Sequence, residues 1–223
     1  METMASLSTL LPLITTQAVG VPVPLALQAL RQATGSFCRK TRVWRHDITI
    51  QTTEEGQNLV ETPDHLVAFE IAEAYWSDEY MPLTVIPPND ADRKELASVA
   101  ASGAPPNKVT MQSRDTVTVI PKAVGDLHLT VYLMPTNGTA DVTSASAANA
   151  EVNMVPLFII TDHGEAIASG ALARLFAMPK KDWSDPQQAA YHGGIYSAAE
   201  ADNDQAHVKT KAGATKRPPI EWF

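Results

Sequence analysis

The chain has 223 residues, of which 44% are hydrophobic and 19% charged, and a formal net charge of −8. This is the composition of a globular chain long enough for one sizeable domain or two small ones, and it excludes an intrinsically disordered protein. The acidic balance argues against a protein that grips nucleic acid through phosphates, although it suits a channel wall past which DNA slides without sticking.

The segment Leu7 to Ile14 is apolar. It lacks a basic leading region and Pro12 interrupts it, so it does not read as a signal peptide, and no run is long enough to span a membrane. A first helix is predicted from Val23 to about Lys40. Ala26, Leu30, Ala33 and Phe37 recur there at three- and four-residue steps. Pro24 opens it, and Arg39 and Lys40 suit its C-terminal dipole end. Cys38, the single cysteine, permits no intrachain disulfide and reads as a small buried thiol beside Phe37.

From Trp44 to Pro135 the period changes to two. Ile48 and Ile50, then Val67, Phe69 and Ile71, then Val117 and Val119 alternate with polar neighbours. Leu127, Leu129, Val131 and Leu133 give the clearest alternation, with His128, Thr130 and Tyr132 facing the other way. Turn signals separate these runs at Glu55-Gly56, Pro87-Pro88-Asn89-Asp90, Pro105-Pro106-Asn107 and Gly125-Asp126. Asp92 to Ala101 reads as a short helix or an ordered loop. Asn137-Gly138-Thr139 is a turn, and Asn137 to Asn149, rich in Ala, Ser and Thr, a connection.

A long helix is predicted from near Pro156 to Met178, with Leu157, Ile160, Ile167, Ala171 and Leu175 on one face. Gly164, Ala168, Gly170 and Ala171 permit close packing. Pro179 stops it. Ser184 or Asp185 then caps a last helix that runs from about Asp185 to Lys209, with Pro186 at its first position and Trp183 stapling its start. Gly193-Gly194 is a flexible point within it, and Asp202-Asn203-Asp204 makes it polar. Leu175, Pro179, Trp183, Asp185 and Pro186 thus form a structural helix-turn.

The tail from Thr210 has no periodicity. Lys216 and Arg217 are basic, Pro218-Pro219 favours extended backbone, and Ile220, Trp222 and Phe223 supply bulky apolar groups. Such anchors suit docking onto a neighbouring subunit or partner, against the plainer alternative of folding back on the chain's own core.

Chemistry is absent from the sequence. His46, His65, His128, His163, His192 and His207 form no metal-ligand spacing. Asp162-His163 with Glu165 reads as a solvated helix face, and Asp90, Asp92 and Glu95 match no calcium loop. There is no nucleophile elbow, no phosphate loop and no dinucleotide fingerprint. No enzyme, metal or cofactor is expected.

Three features together resemble the head-to-tail adaptors of tailed bacteriophages, also called connectors or tail-completion proteins. They are Pro24 to Ala33 running into Phe37-Cys38-Arg39-Lys40-Thr41 and Trp44, the turn from Met178-Pro179 to Trp183-Ser184-Asp185-Pro186, and the basic-aromatic tail. The resemblance covers both ends of the chain, with a looser match between.

The expected fold is α+β: a helical bundle of the N-terminal helix and two long C-terminal helices, an inserted antiparallel β-sheet or small β-sandwich, and an extended C-terminal tail. Residues 1–44 and 150–209 would form the helical core, 45–136 the β insert, 137–149 a connecting loop and 210–223 the docking tail. The resemblance implies a structural protein of the virion neck, assembled in the host cytoplasm. There it would form a homo-oligomeric, dodecameric ring that joins the portal protein to the tail nozzle or tail tube. Genomic DNA would pass through its channel without sequence-specific binding, and no membrane is involved. A tail-terminator or nozzle component is the near alternative. A carbohydrate-binding β module is the distant one, with Trp44, Tyr75, Trp76 and Tyr80 stacking on a sugar.

Overall fold

The computed structural model describes residues 3–53, 58–62, 65–77, 81–87, 105–136 and 153–213, with backbone alone from 205 onward. The chain divides into two compact units, Met1–Val43 with Thr139–Phe223, and Trp44–Gly138. The turns expected at Glu55-Gly56 and Pro88-Asn89-Asp90, the Asp92–Ala101 segment, the Asn137–Asn149 connection and the tail beyond Gly213 lie outside the described residues.

The helical unit begins with strand β1 (Met4–Ser6), which pairs antiparallel with β10 (Met154–Pro156). The apolar segment after β1 forms a 3-10 turn (Leu7–Leu10) and helix α1 (Leu11–Thr15), with Pro12 in the first turn where its missing N–H is harmless. Leu7, Leu10 and Ile14 are buried, so this segment is core.

Helix α2 spans Val23–Thr41. Ala26, Leu30, Ala33 and Phe37 are all buried, as the helical period requires. Burial of a side chain the size of Leu30 or Phe37 contributes about 1.5–3 kcal/mol. The hydroxyls of Thr34 and Thr41, also on the inner face, donate to the carbonyls of Leu30 and Phe37 one turn back, so neither is buried without a partner. Arg42 takes a left-handed conformation (φ 54°) just past the helix and its N–H donates to Cys38 C=O, which closes the last turn.

Helix α3 spans Leu157–Phe176 and α4 Pro186–Gly213. The buried face of α3 differs from the expected one at its start. Leu157 is exposed and Ile160 half-buried, whereas Ile159 joins Ile167, Ala171 and Leu175 inside. Helix α4 runs unbroken through Gly193-Gly194. A Cβ on Gly193 would meet the Ala173 methyl at 4.0 Å, so the glycine lies at the contact with α3.

The β unit contains two four-stranded sheets. One has the order β2 (Arg45–Thr52), β9 (Gly125–Pro135), β4 (Leu66–Trp76), β5 (Met81–Pro82). The other has the order β3 (Asn58–Leu59), β8 (Thr116–Ile120), β7 (Lys108–Ser113), β6 (Thr84–Ile86). All described pairings are antiparallel except β6 with β7, which run parallel. Leu127, Leu129, Val131 and Leu133 point into the core, and Val109, Val117 and Val119 supply its other side.

The expected face of β4 needs correction. Register shifts between Ala68 and Glu70 and between Ile71 and Glu73 place Leu66, Ala68, Ile71, Ala74 and Trp76 inside, while Val67 and Phe69 are only half-buried. Each bulge adds one residue and so flips the alternation of the strand beyond it. Gly125-Asp126, read as a turn, instead opens β9. A Cβ at Gly125 would lie 2.7 Å from the Trp76 ring, so the strand can pass only as glycine.

Candidate functional site

The connection from α3 to α4 is built by backbone geometry. Leu175 is fully buried and anchors the end of α3. The N–H of Met178 donates to Leu175 C=O at 3.1 Å, Pro179 comes next where no helical N–H is needed, and Lys180 takes φ 59° to reverse the chain. Asp185 then caps α4. Its Oδ1 accepts from the N–H groups of Gln187 (2.9 Å) and Gln188 (3.1 Å), with Pro186 beginning the helix. The Asp185 N–H donates back to Phe176 C=O at 3.0 Å, which locks the two helix ends together. Ser184, the other candidate cap, makes only the turn bond of its N–H to Lys181 C=O. Trp183 is half-buried, with the Lys181 ammonium 5.9 Å over its ring.

Inside the hairpin one residue pair makes an especially close approach. Tyr196 of α4 packs against Gly170 of α3, where a Cβ would lie 2.5 Å from the ring. The Tyr196 hydroxyl donates to Ala33 C=O on α2 at 2.7 Å, so one side chain ties all three long helices. Burial in front of Glu200 pushes its ionisation far above the ordinary tyrosine range, and the hydroxyl stays protonated as a donor. Arg174 donates to Gly170 C=O and Ser36 Oγ, and its guanidinium stands 5.6 Å from the Tyr196 ring centre. One turn beyond Tyr196, buried Glu200 pairs with Lys40 of α2.

His192 completes this inner stripe of α4. It is 5% exposed and stacks on Phe176 at 5.8 Å. Neither ring nitrogen has a hydrogen-bond partner, and burial lowers its proton affinity, so it sits in the core as a neutral ring. The sequence reading misses Tyr196, Glu200 and the inward turn of His192. Their spacing of four residues is the available signal, obscured because polar groups occupy the inner face.

The other chemical candidates resolve into structure. Cys38 is fully buried and its thiol is pushed up to about 12 by desolvation, far from a thiolate at neutral pH. His163 faces the Phe37 ring at 4.9 Å, and Asp162 accepts from the Thr161 hydroxyl, so the pair points in two directions. Among the described residues no group of three or more His, Cys, Asp or Glu side chains is placed to hold a metal. Asp90, Asp92 and Glu95 lie outside them, as do the tail residues Lys216, Arg217, Ile220, Trp222 and Phe223. No described helix is long and apolar enough to cross a membrane.

The β unit carries a groove of about 520 Å³ between β4 and the β6–β7 edge, lined by Phe69, Ile71, Val85 and Met111. It does not use the aromatic platform expected of a sugar-binding module. Trp44 and Trp76 are 2% and 6% exposed and belong to the core, which removes two of the four stacking candidates; Tyr80 lies outside the described residues.

Two long helices clamped by a capped turn, a third helix tied to both by one tyrosine, and an inserted β unit form an α+β architecture compatible with a structural adaptor. The comparison with protein families agrees: residues 3–217 match the SU10 adaptor protein family, and the chain belongs to it. It is thereby a bacteriophage head-tail adaptor, a structural component of the virion neck whose family interacts with portal and tail components and oligomerises. No curated protein matches the chain.

Proposed function

We propose that copies of this chain close into a dodecameric ring that seats on the portal protein, receives the tail nozzle or tube, and continues the DNA channel between them. Assembly takes place in the host cytoplasm. The family match across residues 3–217 carries this reading. The net charge of −8 supports it, because an acidic lumen lets genomic DNA pass without capture. Helices of residues 1–44 and 150–209 form the ring body, and the β insert of residues 45–136 offers surface to neighbours or tail components. Helix α4 takes in residues 210–213 of the stretch expected as tail; the tail beyond Gly213 docks on the portal or a neighbouring subunit through Ile220, Trp222 and Phe223, with Lys216 and Arg217 beside them.

The test is the mass of the full chain purified with a portal ring. Many copies per portal are expected. Removal of Ile220 to Phe223 is expected to leave the fold intact and weaken attachment. A chain that stays monomeric and ignores the portal would overturn the ring, and wild-type attachment by the truncated chain would overturn the docking tail.

A further inference from the structure

Helix α4 is built inside out. His192, Tyr196 and Glu200, three of its ionisable residues, face the core, while Tyr191 and Asp202 are exposed. Its outer face carries Ala190, Tyr191, Gly194, Ile195, Ala198 and Ala201, all exposed. No Asp, Glu, Lys or Arg occurs from Pro186 to Ala199. A helix meant to face water carries its charges outward. Here Tyr191 is 64% exposed and Ile195 40% exposed, one turn apart, flanked by residues small enough for close helix approach.

The same unit has a second surface of this kind. No residue from Thr3 to Leu30 is charged. At the tip between α1 and α2, Val19 is 74% exposed, with Val23 at 49% and Leu13 at 41%. The two surfaces are separated around α3. Leu10, just before α1, meets α3 at Gly164, whereas Tyr196 of α4 meets it at Gly170. Six residues on a helix is a rotation of about 120° and a rise of about 9 Å.

We infer that the outer face of α4 and the Leu13–Val19–Val23 tip are the two halves of a head-to-tail interface between copies of this chain. This rests on the ring reading above and gives it its contact surfaces. The occupant is a second copy for an electrostatic reason. Two chains of net charge −8 repel each other, and these two patches are charge-free stretches of the helical unit where copies can touch without opposing charge or desolvating it. A cyclic ring needs two different complementary patches per subunit, which is what the unit presents.

The full-length protein tests this in sedimentation velocity over a concentration series. Wild type is expected to self-associate. Ile195→Glu and Val19→Glu each bury a lone carboxylate in the contact and are expected to weaken association by about tenfold or more. Val124→Glu, at an apolar site on the β unit whose exposure lies between those of Ile195 and Val19, is expected to change nothing. Ile195 and Val19 face solvent in the single chain, so both variants should keep the wild-type unfolding temperature at low concentration. The decisive sample is an equal mixture of the two variants. One keeps only its tip and the other only its α4 face, so together they are expected to form dimers and stop there. Association by either single variant at wild-type strength overturns the assignment. So does Val19→Glu assembling normally while Ile195→Glu does not, which would mean that α4 pairs with itself. A wild type that remains monomeric alone yet loads in many copies onto a portal also overturns it, while leaving the adaptor reading standing.

Discussion

The contact of Gly170 with Tyr196 sets up a test in which one substitution has opposite signs at two positions of the same hairpin. Replacing a helical glycine with alanine normally stabilises by about 0.5–1 kcal/mol. At Gly194 that gain is expected in full, because a Cβ there meets nothing within 4 Å. At Gly170 the new methyl would stand 2.5 Å from Cδ2, 2.6 Å from Cε2 and 3.0 Å from Cγ of Tyr196. The ring cannot swing away cheaply, since its hydroxyl is held by Ala33 C=O at 2.7 Å and Arg174 covers one face. Overpacking of this kind costs about 1–3 kcal/mol. Subtracting the propensity gain leaves a net loss of up to ~2 kcal/mol for Gly170→Ala. The two variants should therefore straddle wild type, separated by up to ~3 kcal/mol. In thermal melts followed by helical circular dichroism at low concentration, each kcal/mol shifts the midpoint by about 2–4 °C in a chain of this size. If Gly170→Ala melts with or above Gly194→Ala, the close contact does not exist and Tyr196 does not fix the hairpin.

Four further outcomes are expected. Asp185→Ala removes the acceptor for two N–H groups of α4 and should cost about 1 kcal/mol, whereas Ser184→Ala should be close to neutral by urea denaturation. Trp183→Ala should cost clearly less than the 3–5 kcal/mol of a fully buried tryptophan, because the ring is half-buried; a larger loss would reveal packing that its exposure does not show. His192 is neutral in the fold, with its proton affinity lowered by burial from the usual 6.5. As pH falls below that value the unfolded chain gains a proton that the folded chain refuses, so stability is complete above it and declines below it. His192→Phe should lessen that decline, leaving the share from half-buried His163; an unchanged slope would place His192 in water. Finally, Cys38 should resist a thiol reagent in the native protein and react only on unfolding, and rapid native labelling would contradict its burial.

Periodicity makes part of this fold legible. The face of α2 through Ala26, Leu30, Ala33 and Phe37 and the alternation of Leu127 to Leu133 each repeat one clean period, and both occupy the core as read. The turn is legible for a different reason, since Pro179, Asp185 and Pro186 act through the local backbone and need no distant partner. The features that stay hidden depend on partners. The bulges of β4 arise from its pairing with β9, and the parallel match of β6 to β7 joins segments with nothing in common but an edge. Tyr196 is a tie only because Gly170 leaves room for it two elements away. The outer face of α4 is hidden because an alanine-rich helix without charge reads as weakly amphipathic, and only the inward turn of His192 and Glu200 reveals which side is which.

The pairing of Met4 with Pro156 and Ser6 with Met154 has a bearing on how the protein is made. These partners are separated by the whole β unit, and α2 likewise waits for α3 and α4. The β unit is continuous in sequence, so on the ribosome it can complete its core while α2 is still without a partner. The helical unit closes last, when the segment after Asn153 emerges. The uncharged stretch from Thr3 to Leu30 thus emerges before the β unit yet waits for the segment after Asn153 to cover it, which makes it a place where a chaperone would bind and where premature aggregation would begin.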